Sequence, residues 1–222
     1  SSNFINLENY ATLGKGKIES IDVSEDGQYH IIKTALGIFL YDTETLEELG
    51  FFEDYGFYSL IPGTNQIIAI TPDLTLAVID LSNVSLIQEL EPSNALEINN
   101  VAVSNDTTHL AVTVLQPHVT RQDWTSYRID IWDLEKGTLT NQLNSELMGV
   151  CFSMGFSPDN QQLISTCFPS GWGIPKLFHW DIPSESLTWY INSESLLNQS
   201  LFSQDGSLFA MNESAQAIIR RS

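Results

Sequence analysis

The chain has 222 residues, 42% of them hydrophobic and 17% charged, a balance that fits a packed globular fold and excludes an intrinsically disordered one. Nine Lys and Arg stand against 28 Asp and Glu, giving a formal charge of −19, so nucleic acid and anionic membrane surfaces are not expected partners. No run reaches the roughly 18 to 20 apolar residues of a membrane helix, so membrane insertion is not expected either.

In chain order, the start "SSNFINLENY" carries no methionine, basic segment or apolar segment, which predicts a removed leader or an internal beginning and leaves the compartment open. The next signal is a series of short strand-like runs. "IESIDV" leads into the polar turn "SEDG" at 24–27, "YHIIKTA" leaves it, "GIFLYD" ends at Asp42, and "LEELGFF" follows. Turns of the same kind recur as "PGTN" at 62–65, "SNDT" at 104–107, "SPDN" at 157–160 and "SQDG" at 203–206. Strand-ending aspartates recur too, at Asp80 after "LTLAVI", at Asp133 after "RIDIW" and at Asp181 after "KLFHW". Short runs rich in Ile, Val, Phe and Tyr between Gly, Asp, Asn and Ser turns predict antiparallel strands. "SLLNQSLF" at 195–202 comes nearest to helical periodicity, and its place in the repeat predicts a strand.

The turns measure the repeat. Asp26 to Asp42 and Thr64 to Asp80 both span 16 residues, whereas Asp106 to Asp133 spans 27 and Asp159 to Asp181 spans 22, so the third and fourth units insert 11 and 6 residues. Several strands are apolar on consecutive positions, as at Ile38, Phe39, Leu40 and Tyr41, so both faces of each sheet must be covered. Four-stranded sheets with two buried faces stack as blades around an axis. The fold class expected is therefore all-β, a β-propeller of four-stranded antiparallel blades in a single domain. Blades are expected at about 18–54, 58–91, 97–143, 148–191 and 195–222, with 6–13 as a possible closing strand.

These residues resemble a WD-repeat β-propeller of the divergent bacterial type. Trp132-Asp133 and Trp180-Asp181 are literal Trp-Asp pairs, Tyr41-Asp42 and Ile79-Asp80 are degenerate ones, and "FSPDN" at 156–160 is similar to the family's Ser-Pro-Asp-Gly turn. The family's Gly-His pair and its buried His-Asp-Ser-Trp set do not appear in any unit. The resemblance implies a non-catalytic scaffold for protein–protein interaction, and the usual family size implies that five repeats are part of a larger propeller. It also implies that Asp42, Asp80, Trp132, Asp133, Trp180 and Asp181 mark the repeat structurally.

Blade connectivity puts both insertions on one rim, with the Ser-Pro-Asp-type turns on the other. The first insertion carries His118, Arg121 and Trp124, the second carries Trp172, and the crossing at 51–58 adds Tyr55 and Phe57. Long loops on a rigid scaffold bind partners, and aromatic and Arg side chains dominate hot spots. These six residues are the candidate binding site for a protein or peptide; the competing expectation is that the aromatics fold back and pin their own loops. No catalytic elbow, phosphate loop, calcium loop or His pair at metal-ligand spacing occurs, so no enzyme activity, metal or cofactor is expected. The alternative role is a secreted carbohydrate-binding or glycoside-hydrolase-like propeller, which would gather paired carboxylates or Trp rings at the channel mouth. Cys151 and Cys167 flank a predicted hairpin and are expected as buried free thiols, with a bridge as the lesser expectation.

Overall fold

In the computed structural model every described regular element is a β-strand, and the described residues are 15–118, 120, 125–169, 173–192, 200–203, 205–213 and 216–221. The first sheet holds β1 (Ile18–Val23), β2 (Tyr29–Thr34), β3 (Gly37–Asp42) and β4 (Glu48–Glu53). The second holds β5 (Tyr58–Ile61), β6 (Gln66–Ile70), β7 (Leu76–Asp80) and β8 (Ser85–Leu90). The third holds β9 (Glu97–Val103), β10 (His109–Pro117), β11 (Thr125–Asp133) and β12 (Thr138–Asn144). The fourth holds β13 (Cys151–Phe156), β14 (Gln162–Cys167), β15 (Lys176–Asp181) and β16 (Ser186–Asn192). A fifth sheet is described as β17 (Ser200–Phe202), β18 (Leu208–Glu213) and β19 (Gln216–Arg221). Within each sheet the strands are ordered as in the chain and pair antiparallel, the blade pattern of a β-propeller. The strand expected at 6–13 lies outside the described residues.

The core lies between blades. Ile31, Ile38 and Leu40 of the first pack against Ile67, Ala69, Ala77 and Ile79 of the second. Ile68, Ile70 and Val78 of the second pack against Leu110, Val112 and Trp132 of the third. Ala111, Ile129 and Ile131 of the third meet Met154, Leu163, Phe178 and Trp180 of the fourth. Ile164 and Leu177 then turn to the other side, toward Phe202. Neighbouring residues such as Ile67 and Ile68, or Ala111 and Val112, thus serve opposite faces, because side chains alternate along a strand. Each fully buried Ile, Leu or Phe contributes about 1.5–3 kcal/mol, so these interfaces are the main stabilising force.

Polar turns close the lower rim. Ser24, Ser104, Ser157 and Ser203 donate through Oγ to Oδ1 of Asp26, Asp106, Asp159 and Asp205 at 2.6–2.7 Å. The same serine oxygens accept from the amides of Tyr29, His109, Gln162 and Leu208 at 2.9 Å. The Ser203 hydroxyl, with the amide and hydroxyl of Ser207, holds the Asp205 carboxyl down at about 2. Strand-ending aspartates do similar work in the next turn. Asp42 accepts from the amides of Glu44 and Thr45, Asp80 from that of Ser82, Asp133 from that of Lys136, and Asp181 from that of Ser184.

Register refines the repeat. Gln66 pairs with Asp80 as Tyr29 pairs with Asp42, so Gly63, three residues before Gln66, stands where Asp26 stands in the first blade. The 16-residue span from Thr64 to Asp80 is therefore not equivalent to that from Asp26; a longer β6–β7 loop compensates for the offset. The two Trp-Asp pairs also differ. Trp180 Nε1 donates to Ser165 Oγ at 2.9 Å, whereas Trp132 Nε1 is buried without a hydrogen-bond partner. Trp180 lies across from Leu163 and Trp132 from Leu110, so the place of Ser165 is taken by the apolar Val112.

The expectation of free thiols is corrected. Cys151 and Cys167 are paired across the β13–β14 hairpin and joined by a disulfide, with Cα atoms 3.9 Å apart. The register that leaves the turn at 157–160 runs to Ser153 opposite Thr166 and would bring Phe152 to Cys167; a one-residue shift between Cys151 and Ser153 sets Cys151 there instead, which an argument from the frequency of buried cysteine does not see. Closing a loop of 16 residues stabilises a fold by about 3 kcal/mol through the unfolded state. Replacing both cysteines by alanine is expected to lower the urea-unfolding free energy by about that amount. Dithiothreitol should produce a comparable loss in the wild type, and unchanged unfolding in both cases would contradict the bridge.

Candidate functional site

The upper rim is made of the β2–β3 type loops and the crossings between blades. Backbone bonds tie these loops to one another and to the sheets. Asp54 N donates to Leu36 O at 3.0 Å, Gly56 N to Ile70 O at 2.7 Å, and Leu96 N to Leu115 O at 2.8 Å. Gly149 N donates to Phe168 O at 2.7 Å and Phe168 N to Val150 O at 2.9 Å, joining the third crossing to the second insertion beside the disulfide.

The two rims differ in polarity. Leu36, Phe57, Leu96, Leu147 and Ile174 project from upper loops at 40–57% exposure. Among the described residues, no large hydrophobic side chain of the lower turns is comparably exposed; Leu81 and Ile182 are buried, and Leu46, Val84 and Leu134 are half-buried. Around the upper apolar side chains stand the exposed carboxylates Glu53, Asp54, Asp73, Glu91, Glu97 and Glu146. Lys33 on this rim is paired with Glu19 at 3.5 Å.

The candidate residues divide three ways. Phe57 is 47% exposed on the first crossing. Tyr55 is half-buried in the packing between the first two blades, 5.5 Å from the ring of Phe52, so it pins its own loop. His118 is half-buried at the base of the first insertion, where Nδ1 accepts from Thr120 N at 3.2 Å. Arg121, Trp124 and Trp172 lie outside the described residues. Trp132 and Trp180 are buried between blades.

A charged network behind the rim was not among the residues expected to matter. Arg128 and Asp130, both on β11, are buried and joined by Nε to Oδ1 at 2.6 Å and Nη2 to Oδ2 at 2.9 Å. Arg128 also donates to Gln116 Oε1 and, at 2.7 Å, to the carbonyl of Ser93 in the second crossing. Gln142 Nε2 completes the carboxylate at 2.9 Å. The pair couples the hairpin that bears the first insertion to the crossing beside it. Its signal was present in "RIDIWD", where Arg128 and Asp130 fall at alternate positions on the face of Trp132.

Other titratable groups sit inside the blades. Burial pushes the Tyr58 phenol up, and its hydroxyl donates to Asp22 Oδ2 at 2.5 Å, tying the innermost strands of blades one and two. Burial also lowers the pKa of His179, which stacks on Trp189 with ring centroids 4.7 Å apart. Among the described residues no group of three or more His, Cys, Asp or Glu is placed to hold a metal ion, and no helix is long and apolar enough to cross a membrane.

No protein-family model matches the chain, and no curated protein matches its sequence. Among solved structures it is similar to hydrazine synthase of Kuenenia stuttgartiensis, with a TM-score of 0.70 at 15% identity, over 91% of this chain and 70% of that one. The chain has a β-propeller-like fold. That neighbour corrects the expectation of a non-catalytic chain: the same architecture occurs in a protein named as an enzyme, so propeller build and missing local motifs do not identify a scaffold. The physical reason is that chemistry resides in side chains brought together from separate loops, which a search for short motifs does not register.

Breaking the buried pair provides a test of the network. Arg128→Met leaves a buried carboxylate unpaired and is expected to cost about 3–5 kcal/mol, whereas the double variant with Asp130→Leu should recover most of that loss. Urea unfolding of the two variants measures both values; equal losses would place the pair outside the rim's support.

Proposed function

We propose that the upper rim is a docking face for a protein or peptide partner, and that the chain is a divergent WD-repeat-like propeller whose role includes presenting this rim. The observation that carries the reading is the polarity difference between rims. Five apolar side chains are exposed on the upper loops while the lower turns tuck theirs inward. Exposed apolar side chains rimmed by polar residues mark interaction surfaces. Phe57 is the described aromatic anchor, held by the loop that Tyr55 pins, and the proposal extends to His118, Arg121, Trp124 and Trp172 on the upper loops. Exposed carboxylates around the patch favour a partner surface that is apolar with basic margins. The disulfide supports a place in an oxidising compartment.

The test uses three baits compared quantitatively by mass spectrometry: the wild type, the triple variant Phe57→Asp, Leu96→Asp and Ile174→Asp, and a lower-rim control, Asn83→Asp. A partner retained by the wild type and the control should be lost from the triple variant by tenfold or more, about 1.4 kcal/mol. Equal retention by all three baits would remove the upper rim from consideration.

A further inference from the structure

On the lower rim, neighbouring turns are tied by a recurring side-chain bond. Asn65 Nδ2 of the second blade donates to Asp26 Oδ2 of the first, and Asn160 Nδ2 of the fourth donates to Asp106 Oδ2 of the third at 2.7 Å. Between the second and third blades the tie cannot form. Gly63 occupies the aspartate position there and offers no side-chain acceptor, while Thr107 occupies the place that Asn160 has in the fourth blade and Thr108 the place that Asn65 has in the second.

A cleft of about 310 Å³ opens at that junction. Its apolar wall is Ile61, Val78, Ile87 and Leu134. Its outer end is fixed by Gln88, whose carboxamide donates to Leu134 O at 3.0 Å and accepts from Gly137 N at 3.1 Å. Three polar side chains line it without a hydrogen bond or ion pair to any other group of the described protein: the Gln66 amide, the Thr107 hydroxyl and the Glu135 carboxylate. Adjacent Lys136 attracts Glu135 through space but makes its direct bond elsewhere, from Nζ to Asp133 Oδ2 at 2.5 Å.

We propose that this cleft binds a primary aliphatic ammonium group, with its alkyl chain along the apolar wall and its charge on Glu135. The lining contains no cation, and the net charge of −19 concentrates cations rather than anions at the surface. Gln66 Oε1 and the Thr107 hydroxyl are acceptors for the remaining N–H groups of the ammonium. The volume lies at the small end of ligand sites and suits a short chain, not a cofactor. The same chemistry is presented by a free alkylamine and by a lysine side chain of a partner.

The test is calorimetric titration at about 0.15 M salt, where long-range attraction is screened. The probes are 1,4-diaminobutane, Nα-acetyl-lysine methylamide and the uncharged 1,4-butanediol. An ammonium probe should bind at least tenfold more tightly than the diol. Glu135→Gln and Gln66→Leu should each weaken it about fivefold to tenfold, and the distant control Glu44→Gln should leave it unchanged. Amide shifts in nitrogen-15 spectra should be confined to the cleft. Binding of the diamine alone points to a free amine; equal or tighter binding of the lysine derivative points to a partner's side chain. The proposal is overturned if neither ammonium probe binds, if the diol binds equally, or if Glu135→Gln has no effect. These readings do not involve the upper rim, so they stand or fall apart from the docking proposal.

Discussion

The first four sheets of this protein are apolar on both faces, and the rest of the structure follows from the need to cover both. A four-stranded sheet that exposed Ile67, Ala69 and Ile79 on one side, or Ile68 and Val78 on the other, would be insoluble alone. Stacking the sheets buries one face of each against the next. Local hydrogen bonding sets the strands, but the apolar interfaces set the order and spacing of the blades, and therefore which loops share a rim.

The two rims resolve the leftover backbone differently. Below, short turns are closed by Ser–Asp bonds and, at two junctions, by an Asn reaching to the Asp of the preceding blade. Above, the connections vary in length and are anchored case by case: by Tyr55 on Phe52, by Arg128 on Ser93, and by the disulfide beside Phe168. A uniform rim leaves little freedom for specialised chemistry; the irregular rim has room for it. The exception below is the junction where Gly63 replaces the aspartate, and it is there that a cleft opens.

Much of the fold was legible because its causes are local. Alternation, consecutive apolar residues and recurring Ser-x-Asp turns specified strands, two-faced burial and blades, and the Trp-Asp positions fell between blades. What depended on register was not legible. Whether Thr64 or Gly63 matched Asp26 could not be decided by counting, since turn and loop lengths compensate. The pairing of Cys151 with Cys167 needed the bulge between Cys151 and Ser153, which neither the hairpin's centre nor a frequency supplies. Arg128 and Asp130 were readable as alternate charged positions in an apolar strand, but their partners at Gln116, Gln142 and Ser93 come from three separate segments. Of the six candidate rim residues, Phe57 is exposed as a binding residue must be, while Tyr55 has the loop-pinning place that the same sequence equally allowed.

Burial on both faces is tested most directly at consecutive positions of one strand. Ile67 faces the first blade and Ile68 the third, and both are fully buried. Unfolding free energies of Ile67→Ala and Ile68→Ala, measured separately in urea, are each predicted to fall by about 2–5 kcal/mol. A sheet with one wet face would tolerate one of the two, so a loss under about 1 kcal/mol at either position would contradict the stacked-blade account.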